Sequence, residues 1–190
     1  GTITLNRPQA YNSLNIETKE LLRDIVQQVA ADPAVRCVVL TGSGKAFCTG
    51  ADLRSSAAPA ARPEGAPAIA PGDVARLIRT GAQRLISAVL DCEVPVIAAV
   101  NGTAAGMGAH LAFACDLVVA ADSAKFIEVF VRRGIIPDAG GAYLLPRLIG
   151  VQKTKELMFF GDSVPAADAA AMGLVNKVVP PDELETAAGE

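Results

Sequence analysis

The sequence predicts an α/β domain in which the strands pair mainly in parallel. Short runs of β-branched and other apolar residues alternate with longer stretches whose apolar side chains recur at helical spacing. Glycine-rich turns separate several of these segments, as expected of strand-to-helix connections. The chain has 190 residues, and 51% of them are hydrophobic, which is enough for one domain with a sizeable core. A single domain over residues 1–190 is therefore expected.

Residues 94–116 form the stretch around which the rest is organised. A β-branched run stops at Asn101 and Gly102, a turn rich in Gly and Ala follows, and an apolar helix begins near Met107. The first N–H groups of a helix have no partner within it, so they can bind an oxygen on which charge develops during a reaction. This pattern predicts half of an oxyanion hole. The alternative is a buried strand that leads into a buried helix, with glycines for close packing.

The segments before this stretch alternate between strand and helix. Strands are predicted over residues 1–5 and 35–40, and helices over 16–31 and 74–90. The first helix should bury Leu21, Leu22, Ile25, Val26 and Val29. The second should bury Leu77, Ile78, Leu85, Ile86 and Val89.

Two loops separate these elements. Residues 41–53 contain a short hydrophobic piece between glycines, which predicts a shaped loop; its Gly-x-Gly followed by Lys lacks the spacing of a Walker phosphate loop. Residues 55–72 are rich in Ala and Pro, and we expect a mobile surface loop there.

The segments after residue 116 continue the alternation. Strands are predicted at 116–121, 124–126 and 175–179, a turn with buried character at 130–141, and helices at 142–149, 154–160 and 166–172. Pro146 should end or kink the first of these helices, and Gly173 should close the last.

Composition excludes several classes of function. The net charge of −3 gives no reason to expect binding to nucleic acid or an anionic membrane, and no apolar run reaches the roughly 18 residues of a membrane helix. With one histidine in the chain, a histidine-rich metal site or a Ser-His-Asp triad is poorly supported, and no metal is expected. The four cysteines form no C-x-x-C pair, which favours free thiols in a reducing compartment and hence the cytoplasm.

Several motifs, in order along nearly the whole chain, resemble the crotonase superfamily of enoyl-CoA hydratase/isomerase proteins. They are Leu5-Asn6-Arg7-Pro8, Asn12-Ser13-Leu14, Lys45-Ala46-Phe47-Cys48-Thr49-Gly50-Ala51-Asp52-Leu53, Pro95-Val96-Ile97-Ala98-Ala99-Val100-Asn101-Gly102, Ala114-Cys115-Asp116, Gly134-Ile135-Ile136-Pro137-Asp138-Ala139-Gly140-Gly141 and Ala171-Met172-Gly173-Leu174-Val175. The resemblance implies a spiral of repeated ββα units, a homotrimer or hexamer, and a coenzyme A thioester as substrate, with no other cofactor. Family members usually carry further C-terminal helices, which this chain is expected to lack.

The resemblance also implies positions for the oxyanion hole and for the coenzyme A contacts. The two backbone N–H donors would belong to Ala51 and Met107, although the family usually has glycine at the second position. The substrate-binding residues implied by position are Ala10, Tyr11, Lys45, Asp52, Leu53, Arg54 and Phe130. Lys45 and Arg54 would face phosphates; the alternative is that each is a solvated surface charge.

Typical hydratases use two acid/base residues, and this chain has no acid/base residue at one of the two positions. The resemblance implies that their two glutamates correspond here to His110 and Phe130, and a phenylalanine cannot move a proton. Glu128 is near in sequence, but two residues along a strand would place it one step further from the acyl chain. Efficient addition of water is therefore in doubt.

Asp138 is the remaining acid/base candidate, at a position where some isomerases and dehalogenase-like members of the family carry an essential aspartate. Ile135, Ile136 and Ala139 are expected to raise its pKa by burial. The alternative is that Asp138 caps the N-terminus of the following helix. His110 could be a second acid/base group, or a neutral helix residue bonded to a backbone carbonyl.

These features leave three functions open. The leading prediction is double-bond isomerisation in an acyl-CoA, with Asp138 moving the proton. The second is an enoyl-CoA hydratase that uses His110 or Glu128. The third is a non-catalytic acyl-CoA-binding protein.

Overall fold

A computed structural model describes residues 1–53 and 70–190. Residues 55–69 of the predicted loop at 55–72 lie outside the described residues, and so does Arg54. The strands are β1 (Thr2–Leu5), β2 (Val38–Gly42), β3 (Ala46–Cys48), β4 (Val96–Val100), β5 (Thr103–Ala105), β6 (Leu117–Ala121), β7 (Lys125–Ile127), β8 (Ser163–Pro165) and β9 (Lys177–Val179). The α-helices are α1 (Ile16–Ala30), α2 (Pro71–Ile78), α3 (Arg84–Leu90), α4 (Met107–Phe113), α5 (Gly141–Phe160), α6 (Ala166–Met172) and α7 (Leu184–Gly189).

The strands form two sheets that are built together. One sheet has the order β1-β2-β4-β6-β9 and is parallel throughout; the other has the order β3-β5-β7-β8, parallel except for the last pair. The strand pairs β2–β3, β4–β5 and β6–β7 each give one strand to each sheet before the chain enters a helix. This repetition confirms the predicted α/β spiral of ββα units.

The core lies between the five-stranded sheet and the helices that cover it. Its fully buried side chains include Leu40 and Val100 from the sheet and Leu85 from α3. Helices α1 and α3 pack together on this layer. Two of the predicted inward residues are wrong, because Leu21 is 61% exposed and Leu77 is 64% exposed. Each lies on the edge of its helix that turns away from the sheet.

The second predicted helix differs from expectation in its start and its continuity. It begins at Pro71 rather than near residue 74. Proline suits the first helical position because an N–H group there would have no partner within the helix. A π-helical turn at Arg79–Gln83 then separates α2 from α3. None of the residues of α2 is buried, whereas Leu85, Ile86 and Val89 of α3 are.

The break in α5 occurs at Gly150 and not at Pro146, contrary to the prediction. Gly150 has φ 77° and ψ 163°, outside the helical region, whereas the helix continues through Pro146. The guanidinium of Arg147 donates to the Tyr143 carbonyl at 2.8 Å within the same turns. The proline is therefore tolerated, and the glycine provides the change of direction.

The segment predicted as a buried turn at residues 130–141 is largely exposed. A 3-10 helix at Val129–Arg133 follows β7 and ends at Gly134, whose φ of 65° redirects the chain outward. The short strand β8 was not predicted, since three residues give no periodic signal. The predicted closure of the helix at residues 166–172 by Gly173 is confirmed. Within the part of the chain that is described, no helix is long and apolar enough to cross a membrane.

Candidate active site

One side of the candidate site, which we call the wall, is the segment around Ala51 that follows β3. Leu14 donates to the carbonyl of Gly50 at 2.8 Å, and Asp52 donates back to the carbonyl of Leu14 at 3.0 Å. This is a parallel β-bridge between Leu14 and Ala51. The residue between the two bonded ones directs its own peptide groups to the other side, so the Ala51 N–H faces away from Leu14.

The start of α4 lies directly against this wall. A Cβ atom added to Gly108 would overlap the Cys48 carbonyl, and one added to Gly50 would lie 3.3 Å from the backbone nitrogen of Met107. Only glycine permits this approach at either position. The N–H of Met107, the first residue of α4, has no partner in the preceding turn of its helix. The structure thus places the start of α4 against the backbone of Cys48 and Gly50, next to Ala51.

A polar clamp fixes the loops beneath this wall. The Arg7 guanidinium donates to the Asp52 carboxylate at 2.9 Å, and the Arg7 N–H donates to the side-chain oxygen of Asn12, also at 2.9 Å. The Asn12 amide in turn donates to the carbonyls of Ser43 and Ala46, at 2.9 Å and 2.7 Å. These bonds give the Asn6-Arg7-Pro8 and Asn12 motifs a structural role, because they hold residues 43–52 in place.

The residues predicted to bind the coenzyme A part of a substrate surround the same loops. Tyr11 and Leu53 are more than half exposed, at 59% and 52%, and Lys45 is also exposed. Tyr11 adopts the left-handed conformation, with φ 50°, and its carbonyl accepts from both the N–H and the hydroxyl of Thr49 at 3.2 Å. Ala10 is buried beneath it. Of the described positions predicted to bind coenzyme A, Tyr11, Lys45 and Leu53 are therefore exposed, whereas Ala10 and Asp52 are buried.

Two side chains that the sequence analysis treated separately, His110 on α4 and Glu128 after β7, form a buried hydrogen-bonded pair. Nε2 of His110 lies 3.1 Å and 3.0 Å from the two carboxylate oxygens of Glu128. The side chain of His110 is 0% exposed and that of Glu128 is 4% exposed. The ring of Phe130 stacks on the imidazole, with centroids 5.2 Å apart and planes 11° apart. His110 is therefore bonded to a carboxylate and not to a backbone carbonyl.

The earlier argument about the spacing of Glu128 and Phe130 is wrong. Glu128 and Phe130 do not alternate along a strand, because β7 ends at Ile127 and Phe130 belongs to the 3-10 helix. Both side chains consequently reach the same imidazole. The only sequence signal for the pair was an acidic residue within an apolar run, together with the single histidine of the chain.

Asp138 lies in the turn before α5, next to His110. The N–H of Gly141 donates to the Asp138 carbonyl at 3.0 Å, and a Cβ atom on Gly141 would overlap the His110 ring. The Oδ1 atom of Asp138 is buried without a hydrogen-bond partner among the described residues. Burial raises the pKa of the Asp138 carboxyl, while the nearby His110 acts in the opposite direction.

Two expectations about Asp138 are wrong: which residues bury it, and its alternative role as a helix cap. Ile135 is 55% exposed and Ile136 is 84% exposed, so of the three expected apolar neighbours only Ala139 is buried. The N-cap of α5 is Gly140, and no side chain caps this helix. The interpretation of Asp138 as a helix cap is therefore wrong, and its carboxyl has no structural bond of that kind to explain it.

Other reactive side chains are poorly suited to chemistry. All four cysteines are free, and burial raises the pKa of the Cys48 thiol to about 12, which keeps it protonated and unreactive. Among the described residues, no group of three or more His, Cys, Asp or Glu side chains is arranged to hold a metal ion.

Comparison with known proteins gives consistent matches over the whole chain. A family model described as "Enoyl-CoA hydratase/isomerase" matches residues 1–190. A crotonyl-CoA hydratase of Syntrophomonas wolfei is 44% identical over 97% of the chain and 67% of its own length. A 1,2-epoxyphenylacetyl-CoA isomerase of Escherichia coli is 39% identical over 96% of the chain and 67% of its own length. The crystal structure of an enoyl-CoA hydratase from Bacillus anthracis is 39% identical, has a TM-score of 0.88, and is matched over 98% of this chain and 69% of its own.

Proposed function

The chain belongs to the enoyl-CoA hydratase/isomerase family, and on that premise we propose that it moves a double bond within an acyl-CoA, with Asp138 as the acid and base. The observation that carries this proposal is the Asp138 carboxyl itself: its Oδ1 atom is buried and unpartnered among the described residues, and burial raises its pKa. A carboxyl group whose pKa is raised is a better proton acceptor when it is ionised, and it can return the proton it removes.

The proposed reaction begins with a 3-enoyl-CoA. The thioester oxygen accepts hydrogen bonds from the N–H groups of Ala51 and Met107, which stabilise the negative charge that develops on it. The Asp138 carboxylate removes a proton from C2, so that the C2–H bond breaks and a dienolate forms. The same carboxyl then gives its proton to C4, the double bond moves to C2–C3, and Asp138 is a carboxylate again.

The aromatic ring at position 130 supports isomerisation over hydration. Hydration needs groups that hold and deprotonate a water molecule, and Phe130 offers neither a donor nor an acceptor. It is 5% exposed and covers the imidazole of His110. Its ring also lies 3.6 Å from a Cβ atom built on Gly106, next to the proposed oxyanion donor Met107. An apolar group here keeps water away from the dienolate.

Hydratase activity is a second candidate because relatives at 39–44% identity include proteins of both names. The specific observation in its favour is the His110–Glu128 pair, which contains an acid and a base 3.0 Å apart. The imidazole is fully buried and its Nε2 atom faces Glu128 rather than open space. That placement makes it a weaker candidate for activating a substrate water.

The proposal includes binding and assembly. Coenzyme A is proposed to contact a rim formed by Ala10, Tyr11, Lys45, Asp52 and Leu53, and the family resemblance adds Arg54, which lies outside the described residues. A homotrimer or hexamer is also proposed. Phe159 and Phe160 are 66% and 67% exposed, and adjacent exposed aromatic side chains are typical of a surface that is covered by another subunit. The four free thiols fit a cytoplasmic location.

The experiment that tests this function compares two substrates in D₂O. A short 3-enoyl-CoA should be converted to the 2-enoyl-CoA with deuterium incorporated at C2 or C4, whereas the 2-enoyl-CoA should form 3-hydroxyacyl-CoA at least ~100-fold more slowly. Faster hydration than isomerisation would overturn the proposal in favour of a hydratase. Tight binding of both thioesters without exchange or turnover would favour a non-catalytic binding protein.

A further inference from the structure

The pair formed by His110 and Glu128 is an unusual feature of the buried region and has no role in the proton transfer described above. Both carboxylate oxygens of Glu128 lie within 3.1 Å of Nε2 of His110. A carboxylate can only accept hydrogen bonds, so Nε2 must carry the hydrogen. The carboxylate thereby fixes which nitrogen of the imidazole is free to interact elsewhere, namely Nδ1.

The imidazole of His110 is packed against neighbouring groups on two sides. Phe130 covers one face of the ring, and the backbone of Gly141 touches its Cε1–Nε2 edge so closely that no side chain fits at that position. Gly141 is also the residue whose N–H binds the Asp138 carbonyl. The turn that carries Asp138 is therefore built directly onto the imidazole.

Two buried side-chain atoms lack a hydrogen-bond partner among the described residues, and they lie on these same neighbours. They are Nδ1 of His110 and Oδ1 of Asp138. An unpaired buried polar atom is costly, so two of them on adjacent groups indicate a site that is completed during function rather than a relaxed core.

The charged groups that act on Asp138 come from three elements. His110 on α4 lowers its pKa, Lys19 on α1 lowers it less, and Glu128, after β7, raises it least, all against the larger raising effect of burial. The imidazole is thus the strongest opposing influence on the carboxyl. Glu128 holds that imidazole through the hydrogen bond at Nε2.

We propose that Glu128 and His110 are a positioning pair that sets the pH at which Asp138 becomes a base. The inference rests on the proposed function, because it assigns to Asp138 the proton transfer described there. Glu128 fixes and polarises the imidazole, and the imidazole favours the carboxylate form of Asp138 in the resting enzyme. Without the pair, the largest influence opposing burial is lost, and the carboxyl then stays protonated to a higher pH.

The first test replaces both members together, as H110Q/E128Q, so that two amides form the hydrogen bond and no buried charge is left alone. Because kcat/KM requires the carboxylate form of Asp138, its rise with pH should move to higher pH. The control variant K153Q/E156Q removes an exposed pair, 2.8 Å apart, with the same charges and should leave the profile in place. An unmoved profile in a folded H110Q/E128Q protein would refute the inference.

The second test uses the wild-type protein and does not depend on turnover or on the folding of H110Q/E128Q. His110 is the single histidine of the chain, so ¹⁵N-labelled histidine gives one pair of ring signals. We expect Nε2 to carry a hydrogen throughout and the Nδ1 signal to shift over the pH range in which Asp138 titrates. In Asp138→Asn this shift should disappear. A His110 signal with the same pH dependence in both proteins contradicts the inference.

The two failures can be told apart. If Asp138→Asn is as active as the wild type, the proposed function fails, whatever the histidine signals show. Suppose instead that Asp138→Asn is inactive, that H110Q/E128Q keeps the wild-type pH profile, and that the histidine signals have the same pH dependence with and without Asp138. Only the proposed role of the pair then fails.

Discussion

Replacement of Asp138 by Asn is expected to lower kcat for isomerisation of a 3-enoyl-CoA by about 10²–10⁴-fold. The amide has nearly the shape of the carboxyl but cannot accept the proton from C2. Binding of a saturated acyl-CoA, measured by calorimetry, should change little, because the oxyanion donors and the coenzyme A rim are untouched. Loss of turnover with retained binding would assign the proton transfer to this residue.

The matched control for this experiment is Asp162→Asn, which makes the same chemical change on an exposed surface. It should keep wild-type kcat and KM. An Asp138→Asn protein that keeps most of its turnover would rule out Asp138 as the acid and base. Deuterium exchange at C2 should fall together with turnover, because both begin with removal of the same proton.

Replacement of Met107 by Pro should lower kcat for the same reaction by about 10²–10³-fold. Proline removes the N–H that is proposed to bind the thioester oxygen, yet it is well tolerated at the first position of a helix. Met107 occupies that position in α4. The substrate affinity should change less than kcat, since the oxygen becomes an anion only after C2 is deprotonated.

The Met107→Ala variant is the comparison that isolates the N–H group. Met107 is 4% exposed, so both variants lose the same buried side-chain packing and should lose similar thermal stability. Only the proline variant also loses the donor. Equal kcat in the two variants would show that the Met107 N–H takes no part in catalysis.

The architecture could be predicted from the sequence because its signals are local. The β-branched run at Val96–Val100 and the Gly/Ala turn after it place the start of α4 correctly at Met107. The same pattern suggested close backbone contact, and Gly108 against Cys48 confirms it. The helix end predicted at Ile149 agrees with the break at Gly150, whereas the end or kink predicted at Pro146 is wrong because the helix continues through that proline.

The candidate site was only partly predictable, because its groups meet through tertiary packing. His110 and Glu128 are 18 residues apart and form their pair across α4 and the end of β7. Periodicity indicated neither the contact nor the exposure of Ile136, which the turn at Gly134 directs outward. The burial of Asp138 was expected for the wrong reason: it comes from the packing of its turn onto α4, and not from the neighbouring isoleucines.

The most direct test of the central claim is a crystal structure of the protein with a bound acyl-CoA thioester. The account predicts that the thioester oxygen lies about 2.7–3.1 Å from the backbone nitrogens of both Ala51 and Met107, with the Asp138 carboxyl facing C2 and C4 of the acyl chain. A thioester oxygen bonded to neither nitrogen, or an acyl chain that runs away from Asp138, would contradict it.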